Sequence, residues 1–320
     1  MKRRKFIAGL GGAVAVPFMA RAQDKRSRVA ILGPAEEPRF SQMSEGLRRG
    51  LRDLGYPAME PIPIKVARGD RTATHAGVTQ AYRDNAAVLF VIGSELARIA
   101  RQSEANLPIV FVTPGDPVAS GLVNSLARPG GKTTAMTFEF PELSAKRLEL
   151  LSALAPGVRR VLVLHDPRDS SPRQGLTAAR EAAPKLRLTL VERETTNDAD
   201  VMRGLEALAA ADAVLAIPGG ITSAHYPAII ASAHAKKRPT FFHSRSGGGA
   251  DALASYGASD VNIAREAARL VAKILKGESA GDLPVERPAK FEFVINLRTA
   301  KMLGIEVPPT LIARADEVIE

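Results

Sequence analysis

The chain has 320 residues and no cysteine, which excludes disulfides, thiolate metal sites and cysteine nucleophiles. Hydrophobic residues make up 45% and aromatics 5%, with no tryptophan, a composition that suits a packed α/β core rather than a disordered or low-complexity chain. The formal charge of +10 is no nucleic-acid signature: half of the excess lies in the first 22 residues, and the remaining basic residues are scattered among acids without interleaved aromatics.

The first element in chain order is a targeting segment. "MKRRKF" is a basic n-region, "IAGLGGAVAVPFMA" a short apolar run, and Ala20-Arg21-Ala22 supplies small residues around a cleavage point. This pattern predicts a signal peptide over residues 1–22. An apolar run of about 14 residues is too short to cross a bilayer. Adjacent Arg3 and Arg4 and the weak Gly/Ala hydrophobicity point to the twin-arginine route, with an ordinary Sec signal as the alternative. Either way the mature chain is expected outside the cytoplasm, in the periplasm of a cell with an outer membrane. Without a cysteine it is expected to be soluble and unlipidated.

From Arg28 onward, apolar runs alternate with amphipathic stretches. "RVAILG" (28–33) reads as a buried strand, followed by a helix through Met43, Leu47, Leu51 and Leu54 that stops at Gly55. "IPIKVA" is the next strand, with a helix ending near Arg83. "AAVLFVIG" (86–93) precedes the helix "SELARIARQSEA", and "LPIVFV" (107–112) precedes "DPVASGLVNSLA", read as a helix with Pro117 in its first turn.

The stretch "ARPGGKTTAM" (127–136) carries Gly131-Lys132-Thr133, which resembles the end of a phosphate-binding loop. That motif needs a glycine five positions before the Gly-Lys pair, and Leu126 stands there. A Pro-Gly-Gly turn feeding a strand is the better reading.

A second series starts at Pro141. It has a helix over "SAKRLELLSALAPG", the strand "RRVLVLH" (159–165), a helix near 172–183, the strand "LRLTLVE", and a helix near 198–210. "ADAVLAIPG" (211–219), a helix near 222–236, "RPTFFH", "ALASYG" (252–257) and the long helix "ASDVNIAREAARLVAKILKG" follow. Strand–helix alternation of this kind predicts parallel sheets covered on both faces. The unit runs through two similar arcs, so two α/β lobes are expected, with a cleft where their strand ends face each other. Small polar residues stand at those ends: Ser94, Thr113 to Asp116, His165-Asp166, and Ser244 to Ser246.

Over nearly its whole length, and most specifically on three stretches, the chain resembles the solute-binding components of ABC importers, in the tryptophan-binding-protein-like branch of the type I periplasmic-binding-protein fold. They are "LPIVFVTPGDPVASGLVNSLARPGGKTTAMT" (107–137), "KRLELLSALAPGVRRVLVL" (146–164) and the segment from Leu275 to Glu320. The resemblance makes Gly-Lys-Thr a chance substitution in a crossover, where relatives have Asn, a hydrophobic residue, Thr and Gly. It implies two Rossmann-like lobes joined by a hinge, one formed by 28–139 plus 253–285 and the other by 140–252 plus 286–320. The long helix 259–276 would return to the first lobe, and the last segment would pack on the second.

The resemblance also implies a small amino-acid-like or small anionic solute held between the lobes. Ser94 and Glu95 open a helix and suit a ligand carboxylate, although Ser94 also reads as a plain helix cap. Thr113, Asp116 and Thr137 follow neighbouring strands, Asp116 as an ammonium partner or as an N-cap. On the second lobe, His165 and Asp166 stand at one strand end and Gly219 at another. Relatives often place Asp or Asn near Gly219, so a backbone contact is expected there instead. Ser244 and Arg245 follow "RPTFFH", and Asp260 opens the long helix as a second ammonium candidate or a cap. Phe40, Phe138 and Tyr256 are stacking candidates, with core packing as the plainer role.

No Gly-x-Ser-x-Gly elbow, His-Glu-x-x-His or dinucleotide glycine fingerprint is present, and five histidines without paired spacing predict no metal site. The sequence therefore predicts a non-catalytic receptor that needs no cofactor. Its expected partners are a small solute and an ABC permease with its ATPase, it binds no nucleic acid, and it is expected to be a monomer. An exported α/β hydrolase and a periplasmic ligand sensor are the alternatives.

Overall fold

The computed structural model describes residues 28–35, 39–67, 69–139, 141–245 and 251–320. The expected signal peptide and Ser246 lie outside them. The first lobe contains β1 (Arg28–Pro34), α1 (Arg39–Asp53), β2 (Ile62–Val66), α2 (Arg71–Arg83), β3 (Ala86–Ile92), α3 (Ser94–Arg101), β4 (Ile109–Pro114) and β5 (Thr133–Glu139). Its five strands run in the order β2-β1-β3-β4-β5, and every pairing is parallel.

The chain then enters the second lobe through α4 (Pro141–Leu154), β6 (Arg160–His165), α5 (Ser170–Ala182), β7 (Thr189–Glu194), α6 (Asp198–Leu205), β8 (Ala213–Ala216), α7 (Gly220–Ala224), α8 (Tyr226–Ala235), β9 (Thr240–Phe242) and β10 (Ala254–Gly257). Helix α9 (Asp260–Leu275) returns to the first lobe. β11 (Glu292–Asn296), α10 (Leu297–Leu303), α11 (Pro309–Ile312) and β12 (Glu317–Ile319) finish the second. Its seven strands run β12-β11-β10-β9-β8-β6-β7. The expected parallel order fails at one pairing, where β11 runs antiparallel to β10.

The strands are apolar on both faces because both faces are covered. Val29, Ile31, Val88, Phe90, Val110, Val112, Met136 and Phe138 pack under α1 and α9, while Ala30, Leu32, Leu89, Val91, Ile109 and Phe111 pack under α2 and α3. The second sheet repeats the arrangement. Val161, Val163, Leu215 and Phe241 face α4 and α5; Leu162, Leu164, Val214 and Phe242 face α6 and α8. Each such side chain, fully buried, contributes roughly 1.5–3 kcal/mol relative to exposure.

Helices α1 and α9 lie side by side in the same direction, because a Cβ on Gly46 would meet the Val261 carbonyl oxygen at 2.2 Å and one on Gly50 the Arg265 oxygen at 2.3 Å. Their N-termini therefore arrive together at the same end of the sheet, where Arg39 Nε stands 3.4 Å from Asp260 Oδ1.

The lobe boundaries differ from expectation. β10 pairs with β9 and β11, so residues 253–257 belong to the second lobe and the return crossing follows Gly257 instead of residue 252. Glu286 bridges Met136 beside β5, so the last crossing lies beyond it.

Two expected helices also differ. Residues 116–127 form turns, because Asp116 Oδ1 binds the Val118 and Ala119 amides and Gly121 takes φ 68°. The helix expected near 222–236 is broken at His225, with Pro227 at the start of α8, since proline cannot extend the preceding turn. The Pro-Gly-Gly turn is as expected: Gly130 and Gly131 both have positive φ, and Gly130 N donates to Gly281 O at 2.9 Å. This turn lies within the first lobe rather than in a crossover. Lys132 Nζ donates to the carbonyls of Ser103 and Ala105 at 3.2 and 2.8 Å, so it serves the fold.

Candidate functional site

The carboxyl ends of β1, β3 and β4 face those of β6, β8 and β9 across the gap between the lobes. The lobes touch where Asp116 N donates to Gln174 Oε1 at 3.4 Å.

On the first lobe, Gly93 alone separates β3 from α3. Its φ of 104° turns the chain sharply, and there is nothing within 4 Å of a Cβ built on it. Gly93, not Ser94, is the N-cap of α3, and no side chain caps that end. The Ser94 hydroxyl instead pairs with Thr113 Oγ1 at 2.5 Å, bridging the ends of β3 and β4. Thr113 is 1% exposed and also donates to Pro114 O at 3.0 Å. The result is a helix start with uncapped amides beside two hydroxyls, an arrangement that attracts an anion. Glu95 and Arg98 are exposed on the first turns of α3.

The other first-lobe candidates are placed for structure. Asp116 is exposed, and its carboxylate caps its own turn. Thr137 is buried, with its hydroxyl bound to Gly115 O. Phe40 packs on Gly33 with Lys65 Nζ over its ring at 5.0 Å.

On the second lobe, His165 closes β6 and is 5% exposed. Its charged neighbours are Glu192, Glu194, Arg180 and Asp166, mostly on β7 and α5, and burial lowers its pKa despite those carboxylates. Asp166 is engaged by Arg168, whose Nε and Nη2 donate to it at 2.9 and 2.8 Å. Burial opposes its ionisation, but the Arg168 hydrogen bonds outweigh that and hold its carboxyl below the usual range. Arg168 Nη2 also donates to Thr196 O at 2.6 Å.

The acid without such a partner close by is Asp169, which sequence reasoning missed. It caps α5, accepting from Ser171 N at 3.0 Å, and also binds the Gly220 amide. Burial raises its pKa, and Arg98 from the opposite lobe is the cation that acts against this. Gly219 leads into α7 with Pro172 and Thr222 each 3.3 Å from its would-be Cβ, so a side chain there would crowd both. Ser244 is buried, and Arg245 pairs with Glu317 on β12.

The floor near the crossings is aromatic and cationic. The Arg39 guanidinium lies 5.2 Å over Phe138, and Phe138 stacks on His243 at 6.5 Å. His243 Nδ1 and the Tyr226 hydroxyl are 3.2 Å apart. Asp260, 2% exposed, meets Arg39 at the start of α9. Tyr256 packs in the second lobe with Phe291 and Phe293. Arg39, Arg168 and His243 also escaped sequence reasoning; the usable signal was their position at strand ends or helix starts.

His243 is fully buried, and burial together with the Arg147 and Arg39 charges pushes its pKa well below 6.5. In the fold both His243 and His165 thus hold a proton less tightly than in an unfolded chain, which protonates them below about pH 6.5. Stability should therefore fall as pH drops from 7 to 5, by up to about 1.4 kcal/mol per pH unit for each histidine. Denaturant unfolding across this range should show a shallower pH slope for His243→Gln than for the wild type. Equal slopes would contradict the assignment.

A family model described as "ABC transporter substrate binding protein" matches residues 28–319. The chain is 25% identical over 285 residues to a "Tyrosine-binding protein" of Clostridioides difficile, covering 88% of this chain and 82% of that one. Among solved structures it is similar to a conserved domain protein of Vibrio cholerae, with TM-score 0.82, 28% identity, and coverage of 92% and 100% of the two chains. It is also similar in fold to an ABC domain in complex with L-Trp from Streptococcus pneumoniae, with TM-score 0.80, 21% identity, and coverage of 91% and 100%.

Proposed function

The chain belongs to the family of ABC transporter substrate-binding proteins, and on that premise we propose that it captures a small amino acid in the gap between its lobes and delivers it to a membrane permease. The family is one of solute-binding components, not of enzymes. The relatives named for tyrosine and for L-Trp make an aromatic amino acid the first ligand to test.

The observation that carries the reading is the start of α3. Its uncapped amides and the Ser94–Thr113 hydroxyl pair form a seat for a carboxylate at the carboxyl ends of β3 and β4. Asp169 takes the ammonium from the facing lobe: its carboxylate is held by backbone amides rather than by an arginine, whereas that of Asp166 is paired with Arg168. Closing of the lobes then removes the ligand from water. The signal-like first 22 residues support action outside the cytoplasm; a soluble monomer that serves a permease with its ATPase completes the reading. Among the described residues no helix is long and apolar enough to cross a membrane.

A thermal-shift panel of all amino acids, aromatic acids and small anions, run on the chain from Gln23 onward, tests the proposal. One narrow class should raise Tm, since binding at 100 times Kd adds about 2.7 kcal/mol. A folded protein that responds to none of them would refute it.

A further inference from the structure

A second feature of the gap concerns how far it closes. Gly115 stands just past β4 at φ 75°, and its carbonyl is held by the Thr137 hydroxyl. A Cβ built on it would lie 2.9 Å from Ser171 Cβ, 3.0 Å from Ser171 Cα and 3.0 Å from Ser171 Oγ, across the gap in the other lobe. Ser171 is 3% exposed, and its hydroxyl has no hydrogen-bond partner, so the contact is one of shape rather than of polar bonding. Beside it, Asp116 N reaches Gln174 one turn along α5. The first turn of α5 is itself anchored by Asp169. The glycine backbone thus meets Cα, Cβ and the short hydroxyl of Ser171, and turning the hydroxyl away would still leave Cα and Cβ in contact.

We infer that Gly115 and Ser171 form the stop against which the two lobes seat, and that the missing side chain at 115 sets how tightly the gap closes. Gly115 is a positioning residue: it lies between the lobes beside the carboxylate seat and acts on affinity through the closed fraction. An affinity scales with the fraction of molecules in the binding-competent arrangement, so a tenfold loss of the closed population raises the apparent Kd about tenfold. The loss should fall mostly on koff, because an open gap still admits ligand. The affinity arm rests on the receptor reading above; the geometric arm does not.

Three variants separate closure from other effects. Gly115→Ala fills the contact from the first lobe. Ser171→Leu fills it from the second, at a helical position without backbone strain. Gly121→Ala is the control, since Gly121 has φ 68° but nothing within 4 Å of its would-be Cβ, so it carries the same strain without the clash. The native chain has no cysteine, so Ala76→Cys and Met202→Cys, both exposed, give one spin-label pair across the lobes. Distance distributions are measured with and without saturating L-tyrosine or L-tryptophan, alongside association and dissociation rates.

The expected result is that Gly115→Ala and Ser171→Leu both lose the short-distance population of the wild type and raise Kd about tenfold or more, while Gly121→Ala matches the wild type. Distributions that coincide in all four proteins, or a Gly121→Ala effect as large as that of Gly115→Ala, would overturn the inference. If the wild type binds neither amino acid, the receptor reading loses its ligand and the distances alone decide the stop.

Discussion

Gly46→Val and Gly50→Val should each unfold or severely destabilise the first lobe, by about 3 kcal/mol or more. The two glycines lie one turn apart on α1, against the backbone of α9. A Cβ on Gly46 would fall 2.2 Å from Val261 O and 2.9 Å from Val261 C; one on Gly50 would fall 2.3 Å from Arg265 O and 2.6 Å from Ala268 Cβ. These neighbours are mainly backbone of a helix whose own buried face includes Ile263, Ala267, Leu270 and Val271, so α9 cannot step aside without uncovering the core. In an open helix either change would gain a little stability, since glycine is a poorer helix former than valine by a few tenths of a kcal/mol. Gly55→Ala, at φ 94° with nothing within 4 Å, isolates backbone strain and should cost only about 1–2 kcal/mol. Denaturant unfolding of the three variants checks the ranking. A Gly46 variant as stable as the wild type would mean that the helices are not in contact as described.

Ser94→Ala and Asp169→Asn should each weaken amino-acid binding by about 10–100-fold, the usual loss when a charge-assisted hydrogen bond is removed. The two differ in what they do to the fold. Ser94→Ala removes a hydroxyl pair and leaves the Gly93 turn intact, so Tm should change little. Asp169→Asn keeps an N-cap for α5 and removes a buried charge. Burial raises the Asp169 pKa above its ordinary 3.8, so the folded chain holds that proton more tightly than the unfolded chain does. Its contribution to stability is lost as pH rises through the folded pKa, and the Asn variant should be at least as stable as the wild type at pH 7. Binding moves the opposite way. The ammonium needs the carboxylate ionised, so affinity should fall as pH drops toward that raised pKa, earlier than for an ordinary aspartate, and the Asn variant should be flat. Calorimetric titration from pH 7 down to the ordinary aspartate value of 3.8, where a carboxyl with a raised pKa is more than half protonated, reads this directly. A wild-type affinity that holds unchanged over the range would remove Asp169 from the ammonium site.

The architecture was legible because buried parallel strands leave continuous apolar runs, such as Val29–Leu32 and Val161–Leu164, between helices of regular spacing. The strand ends were legible too, and with them Ser94 and Thr113. Other features were not, for identifiable reasons. "DPVASGLVNSLA" has helical spacing, but Asp116 and Gly121 close it into turns whose geometry a pattern of apolar residues does not register. The second lobe claims β10 through pairing with β11, a strand some 35 residues later along the chain, which no local pattern reveals. In "HDPRDSSPRQ" two aspartates stand three apart, and only the three-dimensional position of Arg168 decides that Asp166 is spent and Asp169 remains. Nothing local in the sequence marks Arg39, at a helix start, or His243, just after β9, as neighbours of Phe138.

The central claim is that a carboxylate is held at the start of α3, and paired titrations test it most directly. L-tyrosine is compared with tyramine, and L-tryptophan with tryptamine, each pair differing only in that group. One amino acid should bind with one-to-one stoichiometry and its decarboxylated partner at least about 100-fold more weakly, since a site built around hydrogen bonds rejects a ligand that cannot make them. An amine that binds as tightly as its amino acid would contradict the account.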